Sequence, residues 1–278
     1  MKIGIVGLGL IGGSFAKGIK AHTMHTVYGT DREEETMLFS RLSGATDGTL
    51  DDSTLSLCDL VLVALCPEAA VQWVEQHDQQ IKTDAIVVDL CGVKRFVTER
   101  LEPLAASNGF FYVGGHPMAG KERGGFVNAT ADLFAGASMV LVSNDRIRPE
   151  HLELLHRLFY DIGFAKITYT SADDHDRMIA LTSQLAHLLS SAYVKSPEAD
   201  RHRGYSAGSF RDMTRVARLD ETMWTELFLH NRDHLLEQLD ILLEHLTEYR
   251  TALAAADETE LCRLLREGKE RKARQGGN

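Results

Sequence analysis

Two short segments hold the side chains with which this chain could do acid–base and anion chemistry. His116 lies in Gly114-Gly115-His116-Pro117-Met118-Ala119-Gly120, where small residues and a proline build a rigid turn around one imidazole and leave room for a substrate. An imidazole titrates near neutrality and can accept the proton of a hydroxyl, although a histidine in a turn is also often a solvated or capping group. The second segment is Phe210-Arg211-Asp212-Met213-Thr214-Arg215-Val216-Ala217. On a helix Arg211 and Arg215 share one face, and Asp212 is close enough to orient Arg215. A planar, permanently charged guanidinium suits a carboxylate better than lysine does, so either arginine could anchor an anionic substrate. The plainer alternative is a solvated charged turn.

A third pattern names the oxidant that such a base would serve. The apolar run Ile3-Gly4-Ile5-Val6 leads into Gly7-Leu8-Gly9-Leu10-Ile11-Gly12 and then into a helix start, which makes a strand, a glycine turn and a helix. Gly7 permits a tight turn, Gly9 lets backbone approach a pyrophosphate, and Gly12 allows close helix packing, with Leu10 and Ile11 opening the helix on which the phosphates rest. Asp31 ends the next apolar stretch 19 residues past Gly12, where a carboxylate would meet the adenosine ribose hydroxyls. NAD is therefore expected over NADP, with Arg32 as the contrary feature, since a guanidinium there could accept a 2′-phosphate. With such a cofactor, His116 would take a hydroxyl proton while the carbon bearing it gives up hydride.

The remaining composition agrees with a small-molecule enzyme. A chain of 278 residues with a formal charge of -10 suits about two domains and disfavours general attraction to nucleic acid or to an anionic membrane. Cys58, Cys66, Cys91 and Cys262 show no metal-ligand spacing, and no run approaches the ~20 apolar residues of a membrane span. No metal site is expected. The chain opens in a strand without a secretory h-region, so the expectation is a cytoplasmic protein with reduced thiols.

These groups must be held by two kinds of architecture. Residues 1–170 alternate β-rich runs (27–30, 59–65, 85–90, 110–114, 138–142 and 165–169) with helical stretches, which predicts a doubly wound parallel sheet. His116 then follows the strand 110–114, at the carboxyl end where such sheets bind ligands. From Ser171 the pattern is helical, giving a second domain over 171–278. One helix is expected over 172–194, and a break over 196–208. Asp220 then caps a segment to about Ala255 that contains neither Gly nor Pro, with Leu227, Leu235, Leu239, Leu242 and Leu246 at helical spacing. Only the polar stretch Lys269 to Asn278 reads as low-complexity tail. A helical segment that long asks for cover from a second copy, so a homodimer through the helical domain is expected.

The glycine turn, the run 114–120 and the segment 210–217 together resemble the prephenate/arogenate dehydrogenase family, and the resemblance spans nearly the whole chain. It implies oxidation of prephenate to 4-hydroxyphenylpyruvate, or of arogenate to tyrosine, with reduction of NAD(P) and loss of carbon dioxide. It further implies that His116 bonds the ring hydroxyl and takes its proton, and that Arg215 binds a substrate carboxylate. Prephenate is a dianion, which gives fixed positive charge an independent reason to be there. The expected function is NAD-dependent prephenate dehydrogenation in tyrosine biosynthesis. Arogenate is the alternative substrate, and a non-catalytic NAD-binding sensor is the alternative of another class. A hydroxy-acid dehydrogenase of the 6-phosphogluconate type is disfavoured, because it leaves the run 114–120 unexplained.

Several positions depart from the family pattern or have two readings. Ser183-Gln184-Leu185-Ala186-His187 aligns with a family segment reading Ser-His-Leu-Pro-His, so Gln184 replaces a histidine, while His187 faces either substrate or a serine of its own helix. Gly92, in Asp89-Leu90-Cys91-Gly92-Val93-Lys94, stands where many members carry a serine that bonds the catalytic histidine and the substrate hydroxyl. Water, backbone N–H groups or Cys91 would then have to orient His116, unless Cys91 is simply a small buried residue. Lys94 could add positive charge near phosphates or substrate, or be solvated. Lys121 and Glu122 could gate or attract substrate, and Trp224 could line the pocket or the core. Asp174-His175-Asp176 also looks family-like, but carboxylates in a first helical turn have a structural reason to be there.

Overall fold

The computed structural model describes residues 1–276. Eight strands, β1 (Lys2–Val6), β2 (Thr26–Thr30), β3 (Gly48–Thr49), β4 (Leu60–Val63), β5 (Ile86–Asp89), β6 (Phe111–Pro117), β7 (Ser138–Val142) and β8 (Lys166–Tyr169), form one sheet in the order β3-β2-β1-β4-β5-β6-β7-β8. The helices interleaved with them are α1 (Leu10–His22), α2 (Glu34–Leu42), α3 (Asp52–Leu55), α4 (Pro67–His77), α5 (Arg95–Asn108) and α6 (Pro149–Asp161). After β8 the described chain is helical: α7 (Ala172–Ile179), α8 (Leu185–Tyr193), α9 (Gly208–Thr214), α10 (Glu221–His230), α11 (Arg232–Ala254) and α12 (Glu258–Gln275). This is the doubly wound sheet followed by helices that the sequence pattern predicts.

The central strands read as unbroken apolar runs because both of their faces are covered. Ile3, Ile5, Leu60, Leu62, Ile86 and Val88 point into a core shared with Phe15 and Ile19 of α1 and Leu155 and Phe159 of α6. Val6, Val61, Val63 and Val87 point the other way, against Val71 and Val74 of α4 and Val97 and Leu101 of α5.

Several expected boundaries move. The sheet is not parallel throughout: β7 runs antiparallel to β6, since the chain between them supplies no crossover helix. That pairing carries β6 two residues beyond the glycines, so His116 sits inside the strand, opposite Val140, and not in a turn after it. The helix expected over 172–194 is interrupted by a π turn at Ala180–Gln184. The segment after Asp220 breaks at Asn231, without Gly or Pro, because the Asn231 amide donates to the Asp176 carbonyl and to Gln184 Oε1, each at 2.8 Å. Residues 269–275 of the expected polar tail continue α12, while its last two residues, 277 and 278, lie outside the described residues.

The chain divides into two compact units, Met1–Asn231 and Arg232–Asn278. In the second, α11 and α12 pack through Ala252 and Leu264, and the Asp257 carboxylate caps α12 by accepting the Glu260 N–H at 2.9 Å. Leu236, Leu243, Leu246 and Leu253 of α11 recur at heptad spacing and are exposed. No helix among the described residues is long and apolar enough to cross a membrane.

Candidate active site

The glycine turn between β1 and α1 is shaped by what a side chain would strike. Gly7 has φ +82°, and a Cβ there would lie 2.6 Å from the Ala64 carbonyl oxygen. A Cβ on Gly12 would stand 1.9 Å from the Gly7 carbonyl oxygen, so the helix can start this close to the strand only with glycine. Gly9 faces open space, with nothing within 4 Å of its Cβ position. It is also the N-cap of α1, whose first turn, with Leu10 and Ile11, carries neither a side-chain cap nor an acidic residue. Uncapped amides beside open space at a helix N-terminus fit the pyrophosphate of a dinucleotide. Asp31 accepts the Leu8 N–H at 2.7 Å and the Glu33 N–H at 3.0 Å, which fixes its carboxylate at the end of β2. Arg32 is 92% exposed and lies 3.3 Å from Glu33, so it does not displace Asp31. The carboxylate dominates this position, and the residues present fit NAD.

His116 is half-buried and belongs to a chain of three groups. Its Nδ1 lies 2.9 Å from His175 Nε2, and His175 Nδ1 lies 2.7 Å from Asp176 Oδ1. Asp176 is itself fixed, because it accepts the main-chain N–H of Lys94 at 2.7 Å and of Arg95 at 2.9 Å at the start of α5. A carboxylate only accepts, so His175 donates from Nδ1 and accepts at Nε2; His116 then donates from Nδ1 and keeps the lone pair on Nε2. Burial holds the His116 imidazole well below its ordinary range, and His175 and Lys94 push the same way. Burial also lowers His175, against the pull of Asp176. In the sequence His175 and Asp176 read both as family-like and as polar residues of a first helical turn. The signal that separates them is their burial, 3% and 0% exposed, which no solvated helix start needs.

The anionic-substrate candidates cluster beyond this chain. Arg215 directly follows α9, so the helix ends one residue short of carrying both arginines. Its carboxylate neighbour is Glu122, at 3.6 Å, and not Asp212 as the helical spacing predicts. That pair is exposed on both sides and contributes little to stability. Arg211 is exposed on the last turn of α9. His187 Nδ1 donates to the Ser183 carbonyl at 2.8 Å, so it bonds its own helix at the backbone and not at the serine hydroxyl. Its ring stacks on Trp224 at 4.0 Å, and burial together with the charge of Arg215 lowers its proton affinity. Lys121 donates to the Asn128 carbonyl at 2.9 Å and so ties down its own loop.

Four candidate residues make contacts other than those the sequence suggests. Gln184 is 1% exposed, and both ends of its amide are taken, Nε2 by the Leu227 carbonyl at 3.0 Å and Oε1 by Asn231. It braces α10 against the π turn. A Cβ on Gly92 would lie 3.2 Å from a Leu227 methyl, so a serine there would press on that side chain. Cys91 does not orient His116; its Sγ–H donates to the Leu65 carbonyl at 3.4 Å, and burial pushes its thiol well up. Lys94 is neither solvated nor turned toward ligand, being fully buried and paired with Asp89. Where water, backbone N–H groups or Cys91 are the expected partners of His116, its ring bonds His175.

Known proteins are similar to this chain over most of its length. Residues 15–169 match the family profile described as prephenate dehydrogenase, nucleotide-binding domain, and residues 171–267 match prephenate dehydrogenase, dimerization domain. The prephenate dehydrogenase of Lactococcus lactis subsp. cremoris is 30% identical over 281 residues, covering 96% of this chain and 75% of the relative. The cyclohexadienyl dehydrogenase of Zymomonas mobilis subsp. mobilis is 32% identical over 265 residues, covering 92% and 89%. Among solved structures, the prephenate dehydrogenase of A. aeolicus in complex with hydroxyphenyl propionate and NAD+ superposes with a TM-score of 0.87 at 27% identity, covering 99% of this chain and 98% of that one. With a glycine turn that fits NAD, a hydrogen-bonded histidine series at the end of β6 and both family profiles matched in order, this chain belongs to the prephenate dehydrogenase family and is an NAD-dependent oxidoreductase.

Proposed function

We propose that the chain catalyses the oxidative decarboxylation of prephenate to 4-hydroxyphenylpyruvate with NAD, the tyrosine-forming branch of aromatic amino acid biosynthesis. The observation that carries this reading is the hydrogen-bonded series His116, His175, Asp176, which leaves one lone pair, on His116 Nε2, free to act as base. Bound NAD supplies the hydride acceptor. His116 takes the proton of the ring hydroxyl as its carbon gives up hydride. The ring carboxylate then leaves as carbon dioxide, its bonding electrons make the ring aromatic, and the former hydroxyl oxygen takes the proton back from His116. No proton is released over the turnover.

Arg215 binds a substrate carboxylate by exchanging its exposed contact with Glu122, and Arg211 and His187 complete the anionic pocket. Gly7, Gly9, Leu10, Ile11 and Gly12 carry the pyrophosphate, and Asp31 takes the adenosine ribose, with Arg32 left in solvent. Gln184 and Gly92 act at one remove, Gln184 by holding the Leu227 backbone and Gly92 by leaving room for the Leu227 side chain. The division of labour falls near residue 170, with cofactor held by 1–170 and substrate by 171–278. The heptad row Leu236, Leu243, Leu246 and Leu253 is the surface through which two copies pair. Free cysteines at 58, 66, 91 and 262 accord with the reducing cytoplasm.

The test is to mix purified protein and NAD with prephenate, and separately with arogenate, and to follow reduced nicotinamide. Reduction with prephenate supports the reading. Reduction with arogenate alone changes the substrate, and no reduction with either overturns the activity.

A further inference from the structure

Beneath His116 lies a charged core that no substrate contact explains. Lys94, the residue before α5, is fully buried, and its ammonium is held on the equally buried carboxylate of Asp89 at the end of β5. Two buried ions are costly to desolvate, and an apolar pair of similar volume is often as stable, so stability alone does not account for them. The fold nevertheless secures the pair. The Tyr112 hydroxyl donates to Asp89 Oδ2 at 2.7 Å, and the Cys91 N–H donates to Oδ1 at 3.0 Å. The lysine stem crosses β6 at Gly114, where an added Cβ would lie 3.1 Å from Lys94 Cδ and 3.5 Å from Asp89 Oδ2. Gly114 and His116 are two residues apart on one strand, so the slot and the imidazole share a face.

The charges around the imidazole come from four elements. Asp176 and His175 of α7 form the chain already described, and Arg95 of α5 lies 3.5 Å from Asp173 and 3.6 Å from Asp176. Asp89 of β5 is occupied by Lys94 and by Tyr112 of β6. Lys94 is tied to the histidine series through its backbone, its N–H donating to the Asp176 carboxylate that holds His175 on His116, and its charge adds to burial and His175 in opposing protonation of that ring.

We propose that Lys94 is a positioning residue for the proton transfer: its ammonium, held on Asp89 in the slot that Gly114 leaves open, keeps the His116 imidazole in its proton-accepting form. The role rests on His116 being the base of the proposed reaction, and two readouts let the two ideas fail separately. Lys94→Met removes the cation, and the double variant Asp89→Asn/Lys94→Met removes both buried charges, so that no lone ion destabilises the fold. His116 is titrated by NMR in the full chain, and the pH profile of kcat/KM is recorded with NAD and prephenate. Without the cation the imidazole holds its proton to higher pH. The ring titration and the acid limb therefore both move upward in the variants, and less of the plateau activity survives on the acid side.

A folded double variant whose His116 titrates as in the parent overturns the proposal, even if its melting temperature falls. So does a parent protein whose His116 titrates at or above the ordinary histidine range. A shifted ring titration in a protein that reduces no NAD with prephenate upholds the electrostatic role of Lys94 and overturns the base assignment.

Discussion

The cofactor half of the site and the acid–base half are built from different materials. Around the glycine turn the chain works by leaving things out: Gly12 exists because Gly7 needs the room, and Gly9 leaves open space at the start of α1. Around His116 it works by adding polar groups that satisfy one another, His175 on His116, Asp176 on His175, and the amides of Lys94 and Arg95 on Asp176. The first construction is confined to one strand–turn–helix unit. The second joins residues as much as 82 positions apart and depends on the whole sheet being assembled. A site made of space therefore fails all at once when filled, whereas a site made of a hydrogen-bonded series weakens link by link.

Substitutions at the two places should differ accordingly. The largest effect is expected at Gly12→Ala. Its Cβ meets backbone at 1.9 Å, which no flexible side chain can relieve, so the cost exceeds the ~1–3 kcal/mol of ordinary overpacking. Calorimetric titration should show no NAD binding where the parent saturates, and parent-like binding would break the comparison. Next comes Asp176→Asn, which leaves the tautomer of His175 unfixed. Turnover should fall by about 10 to 100-fold, a share of the ~10²–10⁴ that general-base catalysis supplies, while NAD affinity stays unchanged. A parent-like turnover number would mean that His116 needs no orienting partner. Arg215→Gln should act on binding: KM for prephenate rises on the order of tenfold to a hundredfold, the worth of about 1.5–3 kcal/mol of charge-assisted hydrogen bonding, with kcat changed less. A loss confined to kcat would move Arg215 from the anchor to the reacting centre.

The same contrast explains what could be read from the sequence. Gly7, Gly9, Gly12 and Asp31 are legible because local sterics dictate their spacing, and His116 and Arg215 because their segments are distinctive. Asp174-His175-Asp176 stands out as family-like, but a carboxylate in a first helical turn has its own reason to exist, and only the fold sets that turn against α5. Gly114 is visible as a glycine, but its purpose, the passage of a buried lysine stem, belongs to tertiary structure. Gln184 looked like a substitute ligand because of what it replaces; its buried amide instead joins the Leu227 carbonyl to Asn231. The break at Asn231 followed no local rule, because the amide that causes it bonds residues of α7 and the π turn.

If His116 is the base that the rest of the site orients, His116→Asn removes it. Turnover of prephenate with NAD is measured for the parent and the variant, together with NAD affinity for each. The kcat is expected to fall by about 10²–10⁴ while the affinity for NAD is unchanged. A variant that turns over prephenate at the parental rate would contradict it.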